Sequence, residues 1–259
     1  MGLPGVAEAA ADARAAVDEL LWNRTARKRG TALAAESAVV GAWCNAAFEG
    51  AEVLLASLKS GAVEDSPMGR VAVRTLAMYA EIPQTADMVT TAPLQALARL
   101  HSVLTVGSVA DASIGRPRAD EDPDDPLRLG AAAPADQLAP RLHALSELIR
   151  SKSEAPAIVL AGTAHAELAV MRPFAAGSGV LARAMTRVLL RATGVDPDGW
   201  TFPEAGLRML GRPKYVASLR RYASGEPDGV AQWLVLHSGT VAAGARAAAA
   251  EVDELPDEV

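Results

Sequence analysis

Residues 172–183 read RPFAAGSGVLAR. Two glycines, Gly177 and Gly179, flank Ser178 just ahead of a strongly helical run, an order that suits a phosphate cradle. Glycine takes positive φ and exposes its N–H without a Cβ in the way. The helix that opens near Val180 adds unpaired N–H groups and the positive end of its dipole. Arg172 and Arg183 supply charge. The chemistry on offer is anion or nucleotide binding by Arg172, Gly177, Ser178, Gly179 and Arg183. The same letters also suit a plain helix junction with Ser178 as N-cap. Residue chemistry alone favours that second reading, because a lone Gly-x-Gly is a weak signal.

Other reactive residues converge less. Residues 45–50, NAAFEG, place Glu49 and Gly50 at a helix end, which by itself is a capped terminus. His101, His143, His165 and His237 form no H-x-x-x-H or H-E-x-x-H pair, so no histidine metal site is expected. His165 lies seven residues before Arg172 on the same helical face, at the pocket border or in the core. Cys44 is the only cysteine, which excludes an internal disulfide and a cysteine zinc site, and beside Trp43 it reads as a packed thiol. The acidic run Asp120, Glu121, Asp122, Asp124, Asp125 has no glycine where a calcium loop needs one, and reads as solvated loop. Ala176 rules out a Gly-x-Ser-x-Gly elbow around Ser178.

Helices must position these residues. Strand patterns are nearly absent, and aromatic residues make up 4% of the chain. Val6, Ala10, Ala13, Val17, Leu20 and Leu21 form one stripe of a helix over 6–29, with Gly30 suited to its C-cap. Further helices are expected at 31–48, 66–81, 93–106, 136–150, 155–171, 179–193, 203–223 with a break at Gly211-Arg212-Pro213, and 227–250. Residues 111–136, with four prolines and the acidic run, form one loop excursion. The expected fold is all-α and one domain over 1–259: N-terminal helices to residue 50, a core over 51–250, and an acidic tail over 251–259 that frays.

Composition narrows the partners. With 25 basic and 31 acidic side chains the net charge is −6, against a broad polyanion-binding surface, so nucleic acid is not expected. No apolar run approaches the roughly 20 residues that span a bilayer. Glu8, Asp12 and Asp18 stand where a secretory leader would be apolar, and Val6 stands where a myristoylation signal wants Ser or Thr. The expected compartment is the cytoplasm, with no membrane partner.

The span from His165 to Asp196 resembles the core of the Fic (Fido) family, whose motif is H-x-F-x-[DE]-G-N-G-R-x-x-R. Phe174, Gly177, Gly179 and Arg183 fall on matching positions. Upstream, LARLHSVLTVG and then GRPR resemble the family's helix before its flap. Together with the N-terminal helices the likeness covers most of residues 15–245, and it is nearest an actinobacterial-type branch with Arg-Pro-Phe in the motif.

The resemblance implies an all-helical fold that transfers AMP from ATP to a protein hydroxyl with Mg²⁺. The departures fall on that chemistry. Arg172 replaces the base, and a guanidinium accepts no proton near neutral pH. Ala176 replaces the metal carboxylate, so Mg²⁺ lacks a hard ligand. Ser178 replaces Asn and Val180 the first Arg. Many relatives also carry [ST]-x-x-x-E-[GN] in a helix that plugs the site. NAAFEG fits except at Asn45, which pairs Glu49 with Arg183. The flap excursion, rich in proline, is ill suited to the strand addition by which active relatives hold targets. The expected function is therefore a degenerate member: a pseudoenzyme with no catalytic residue and no resident metal, keeping a weak pocket for ATP or another nucleotide or anion, with an unidentified protein as the partner. Two alternatives stand beside it, an active nucleotidyl- or phosphotransferase with rearranged residues and a purely structural protein.

Overall fold

The computed structural model describes residues 2–151 and 153–255, and among them every regular element is a helix. In chain order these are α1 (Val6–Trp22), α2 (Arg24–Lys28), α3 (Gly30–Phe48), α4 (Leu55–Ser60), α5 (Pro67–Ala80), α6 (Ile82–Val89), α7 (Pro93–Thr105), α8 (Ala135–Arg150), α9 (Ala157–Met171), α10 (Ser178–Ala192), α11 (Pro203–Leu210), α12 (Arg212–Ala223) and α13 (Pro227–Glu251). The excursion over 111–136 contains only a 3₁₀ turn at Asp111–Ser113 before α8 begins.

Local chemistry sets most boundaries. Ser66 caps α5 by accepting from the Gly69 N–H at 3.0 Å, with Pro67 in the first turn, where its missing donor costs nothing. Asn23 splits the expected 6–29 helix in two, because its Oδ1 accepts from Thr25 and Ala26 at 2.8 and 3.0 Å and starts α2. Gly30 is not a cap: it opens α3 beneath Trp200, where a Cβ would meet the ring at 2.6 Å. The short helices α4 and α6 fall below the length at which periodicity is legible. The expected break inside 203–223 lies at Gly211. The tail does not fray at its start, since Val252 is buried and Arg29 donates to the carbonyls of Val252 and Asp253, each at 2.9 Å. Residues 256–259 of that tail lie outside the described residues.

Helix α10 is the axis of the core. Twelve of its fifteen residues are buried, the apolar Val180, Leu181, Met185, Val188 and Leu189 together with Arg183 and Arg187, so it is surrounded on nearly all sides and its arginines need partners inside the core. Helices α9, α3, α6, α7 and α11 pack on it, and α13 closes the far side against α1 and α11. Among the described residues no helix is long and apolar enough to cross a membrane.

Candidate functional site

The loop from Arg172 to Gly177 turns the chain from α9 into α10. Arg172 ends α9 in the left-handed region at φ 47°, uncommon for a residue with a side chain. Gly177 is the N-cap of α10 at φ 76°, and a Cβ there would sit 2.8 Å from Leu104 Cδ2. Both strain and space require glycine at this point.

The other two members of the Gly-Ser-Gly triplet depart from the expectation. Ser178 is not the N-cap but the first helical residue, and it is buried. Its hydroxyl accepts from the Phe174 N–H at 3.1 Å and donates to the Phe174 carbonyl at 3.2 Å, so it staples the loop instead of facing a ligand. Gly179 lies inside α10 without positive φ. Its bareness serves space: a Cβ would stand 2.9 Å from Glu49 Oε1 and 3.4 Å from the Arg183 guanidinium.

Glu49 and Arg183 meet as an ion pair, with side chains 9% and 0% exposed. Asn45, one turn before Glu49, adds a second clasp. Its Oδ1 accepts from Arg183 Nε at 2.6 Å, while its Nδ2 donates to Tyr79 Oη at 2.9 Å and the Val180 carbonyl at 3.0 Å. Phe48 lies under the guanidinium, 5.2 Å from ring centre to Cζ. Burial works against the charge of Arg183, but Glu49 and Tyr215 hold its pKa above the ordinary value. At Gly50, φ is 84°, and the Gly50 and Ala51 N–H groups close the last turn of α3 on Ala47 and Ala46. Glu49 is thereby set at the helix end, over the first turn of α10.

One turn further along α10 the arrangement repeats. Arg187 donates to the Glu204 carboxylate at 2.8–3.0 Å and to Ser37 Oγ at 2.6 Å, all three buried. Tyr79 Oη donates to Glu204 Oε1 at 2.8 Å and accepts from Asn45, joining the two arginine clusters. Nothing in the local sequence around Glu204 or Ser37 marks them, because their partners are 17 and 150 positions away.

Arg172 does not join the Gly177 loop. Its guanidinium pairs with Asp125 at 3.1 Å and donates to the Gly130 carbonyl, lining a hollow on the excursion side with Arg118, Asp120 and Asp122. The Gly177 N–H instead meets an anion from the chain itself, Asp124 Oδ2 at 3.2 Å. Beside it opens a cavity of about 550 Å³ lined by Glu49, Asp124 and Asp125, with Arg74 its only lining cation among the described residues.

His101, one of the four scattered histidines and part of the LARLHSVLTVG stretch, holds the loop from below. It stacks on Phe174 with ring centres 4.0 Å apart and planes 15° apart. Its Nδ1 accepts from the Gly115 N–H at 2.8 Å, which leaves Nε2–H to donate to the Ala176 carbonyl at 3.2 Å. Burial lowers its pKa and keeps it neutral, as that bonding requires. His165 does not border the pocket: it is fully buried against Tyr215 Oη at 2.8 Å and Thr186 Oγ1 at 3.2 Å.

The family-implied metal and nucleotide do not fit these residues. Position 176 offers only a carbonyl already engaged by His101. Among the described residues no three His, Cys, Asp or Glu side chains converge as a metal site. Among the described residues the cavity beside Gly177 presents three carboxylates to one arginine, the wrong balance for a triphosphate.

The helical fold and the α9–loop–α10 hairpin define a class, and the comparisons specify it. Residues 76–190 match the model of the Fic/DOC family, a region running from the end of α5 to near the end of α10. The whole fold is similar to a Fic family protein from Desulfovibrio desulfuricans, with a TM-score of 0.78 and 18% identity over 100% of this chain and 78% of that one. It is also similar to Fic-1 from C. elegans, with a TM-score of 0.69 and 16% identity over 96% of this chain and 73% of that one. No curated protein matches the sequence.

Proposed function

We propose that the chain is a degenerate Fic domain, a pseudoenzyme that works as a regulatory binding module and does not transfer AMP. One observation carries the reading. The two groups best placed to receive phosphates, Arg183 and the Gly177 N–H, each hold a carboxylate of the chain itself, Glu49 and Asp124. Arg172, at the position of the base, is an arginine bound to Asp125. Any nucleotide or anion that enters must displace these internal anions, so binding is weak and gains nothing from Mg²⁺. The partner we propose is a protein in the cytoplasm, not nucleic acid or a membrane, in keeping with the net charge of −6.

Isothermal titration with ATP, ADP and GTP, with and without Mg²⁺, tests this. Weak or absent heat, unchanged by the metal, is expected. Tight binding of ATP that depends on Mg²⁺ would favour a working transferase with rearranged residues instead.

A further inference from the structure

The excursion between α7 and α8 is fastened across the motif loop by several independent bonds. The Arg118 N–H donates to the Pro173 carbonyl at 2.8 Å, and its Nε to the Arg172 carbonyl at 2.9 Å. The Asp124 N–H donates to the Ala175 carbonyl at 2.8 Å, while its carboxylate accepts from Gly177. Asp125 closes the turn behind it, accepting from the Leu129 and Gly130 N–H groups at 2.8 and 3.0 Å. Arg212 and Arg220 of α12 hold the far end by the Pro126 and Arg128 carbonyls.

These fastenings are unequal. Arg118 and Arg172 are buried, whereas Asp124 is exposed on its outer side. The charged groups that face Asp124 are evenly divided in sign, Glu49 at the end of α3 and Asp125 in the excursion against Arg172 of the motif and Arg74 of α5.

We propose that residues 116–130 form a releasable strap over the motif loop, with Asp124 as its latch, so that the Gly177 N–H is offered to an external phosphate only when the latch lifts. The last clause rests on the function proposed above, and the release of the strap does not.

The direction with pH follows from the surroundings of Asp124. Partial burial pushes its carboxyl up, the Gly177 N–H pulls it down, and Glu49 and Asp125 outweigh Arg172, leaving it at about 6 against an ordinary 3.8. A carboxyl with a raised pKa in the closed form holds that form better when protonated. The strap therefore loosens as pH rises through about 6. Because the outer side of the carboxyl is in solvent, the expected change in opening is about tenfold, not the full shift.

Hydrogen exchange read by mass spectrometry at about pH 5 and pH 7.5, corrected for intrinsic rates, tests the strap on the whole chain. In the wild type, peptides covering 116–130 and 173–178 should lose about tenfold in protection at the higher pH. Asp124→Asn, uncharged but able to accept from Gly177, should stay protected at both. Asp124→Ala should be poorly protected at both, with α10 unchanged as the control for folding. Equal protection in all three proteins overturns the latch. Inorganic phosphate added to Asp124→Ala should restore protection at Gly177. If it does not while the other results stand, the strap survives and the anion site is refuted.

Discussion

Arg183, a charged residue of the motif, is held inside the fold by the chain's own side chains. A buried guanidinium is costly unless its charge and donors are met; from a single turn of α3, Glu49 meets the charge at Nη2 and Asn45 meets Nε, while Nη1 has no hydrogen-bond partner among the described residues. Such a pair matters chiefly when half of it is removed, at a cost of roughly 3 to 5 kcal/mol if burial is complete. In chemical denaturation, Glu49→Gln and Arg183→Met should each destabilise, and the loss in the double variant should fall short of their sum by a coupling of about 1 kcal/mol or more. Additive losses would mean that the contact contributes nothing. Gly179→Ala probes the same place from the other side. Its new methyl would crowd Glu49 Oε1 at 2.9 Å, and a loss of roughly 1 to 3 kcal/mol is expected, where an ordinary helical Gly→Ala change would stabilise. The spacing of the motif made Glu49 and Arg183 legible in the sequence. It misplaced Ser178 and Gly179, because Gly-Ser-Gly reads as a backbone device, whereas the second glycine answers to a side chain 130 positions away.

At the level of elements, α3 and α10 form a clamp, since Arg183 and Arg187 lie one turn apart on α10 and meet α3 near its end and nearer its start respectively. A helix held at both places is part of the core and not a detachable plug. Asn45 stands where the family pattern has Ser or Thr, and its three bonds strengthen that hold. Helix existence and order were readable from apolar periodicity, but this polar wiring was not, because each bond joins residues far apart in sequence. The same holds behind α10, where Thr186 bridges His165 and His237 at 3.2 and 3.1 Å. Burial lowers the pKa of His237 to about 4 and that of His165 well below its ordinary value. The unfolded chain therefore takes up protons first as pH falls below 6.5, so stability present above that value is lost towards pH 4. His237 alone accounts for about 2 to 3 kcal/mol of that loss between pH 7 and 4.5. Urea melts at the two pH values should show it, and His237→Gln should flatten the difference. An unchanged pH response in that variant would place the proton uptake elsewhere.

For the molecule as a whole, the fold is that of Fic proteins while the groups that would bind phosphate and metal are replaced or occupied by the chain's own side chains. Fold class and the position of the motif were open to a sequence reading, since both rest on local patterns. The occupation of the loop by Asp124 was not: an acidic run rich in proline looks like solvated loop until the turn at Asp125 folds it back on Gly177. The central claim is the absence of AMP transfer, and incubation of the purified chain with α-phosphate-labelled ATP and Mg²⁺, alone and with cell lysate, tests it most directly. The account predicts no label on any protein, and none after Arg172→His, because Ala176, Ser178 and Val180 remain. Label that appears on protein with the wild type and vanishes with Arg172→Ala would contradict it.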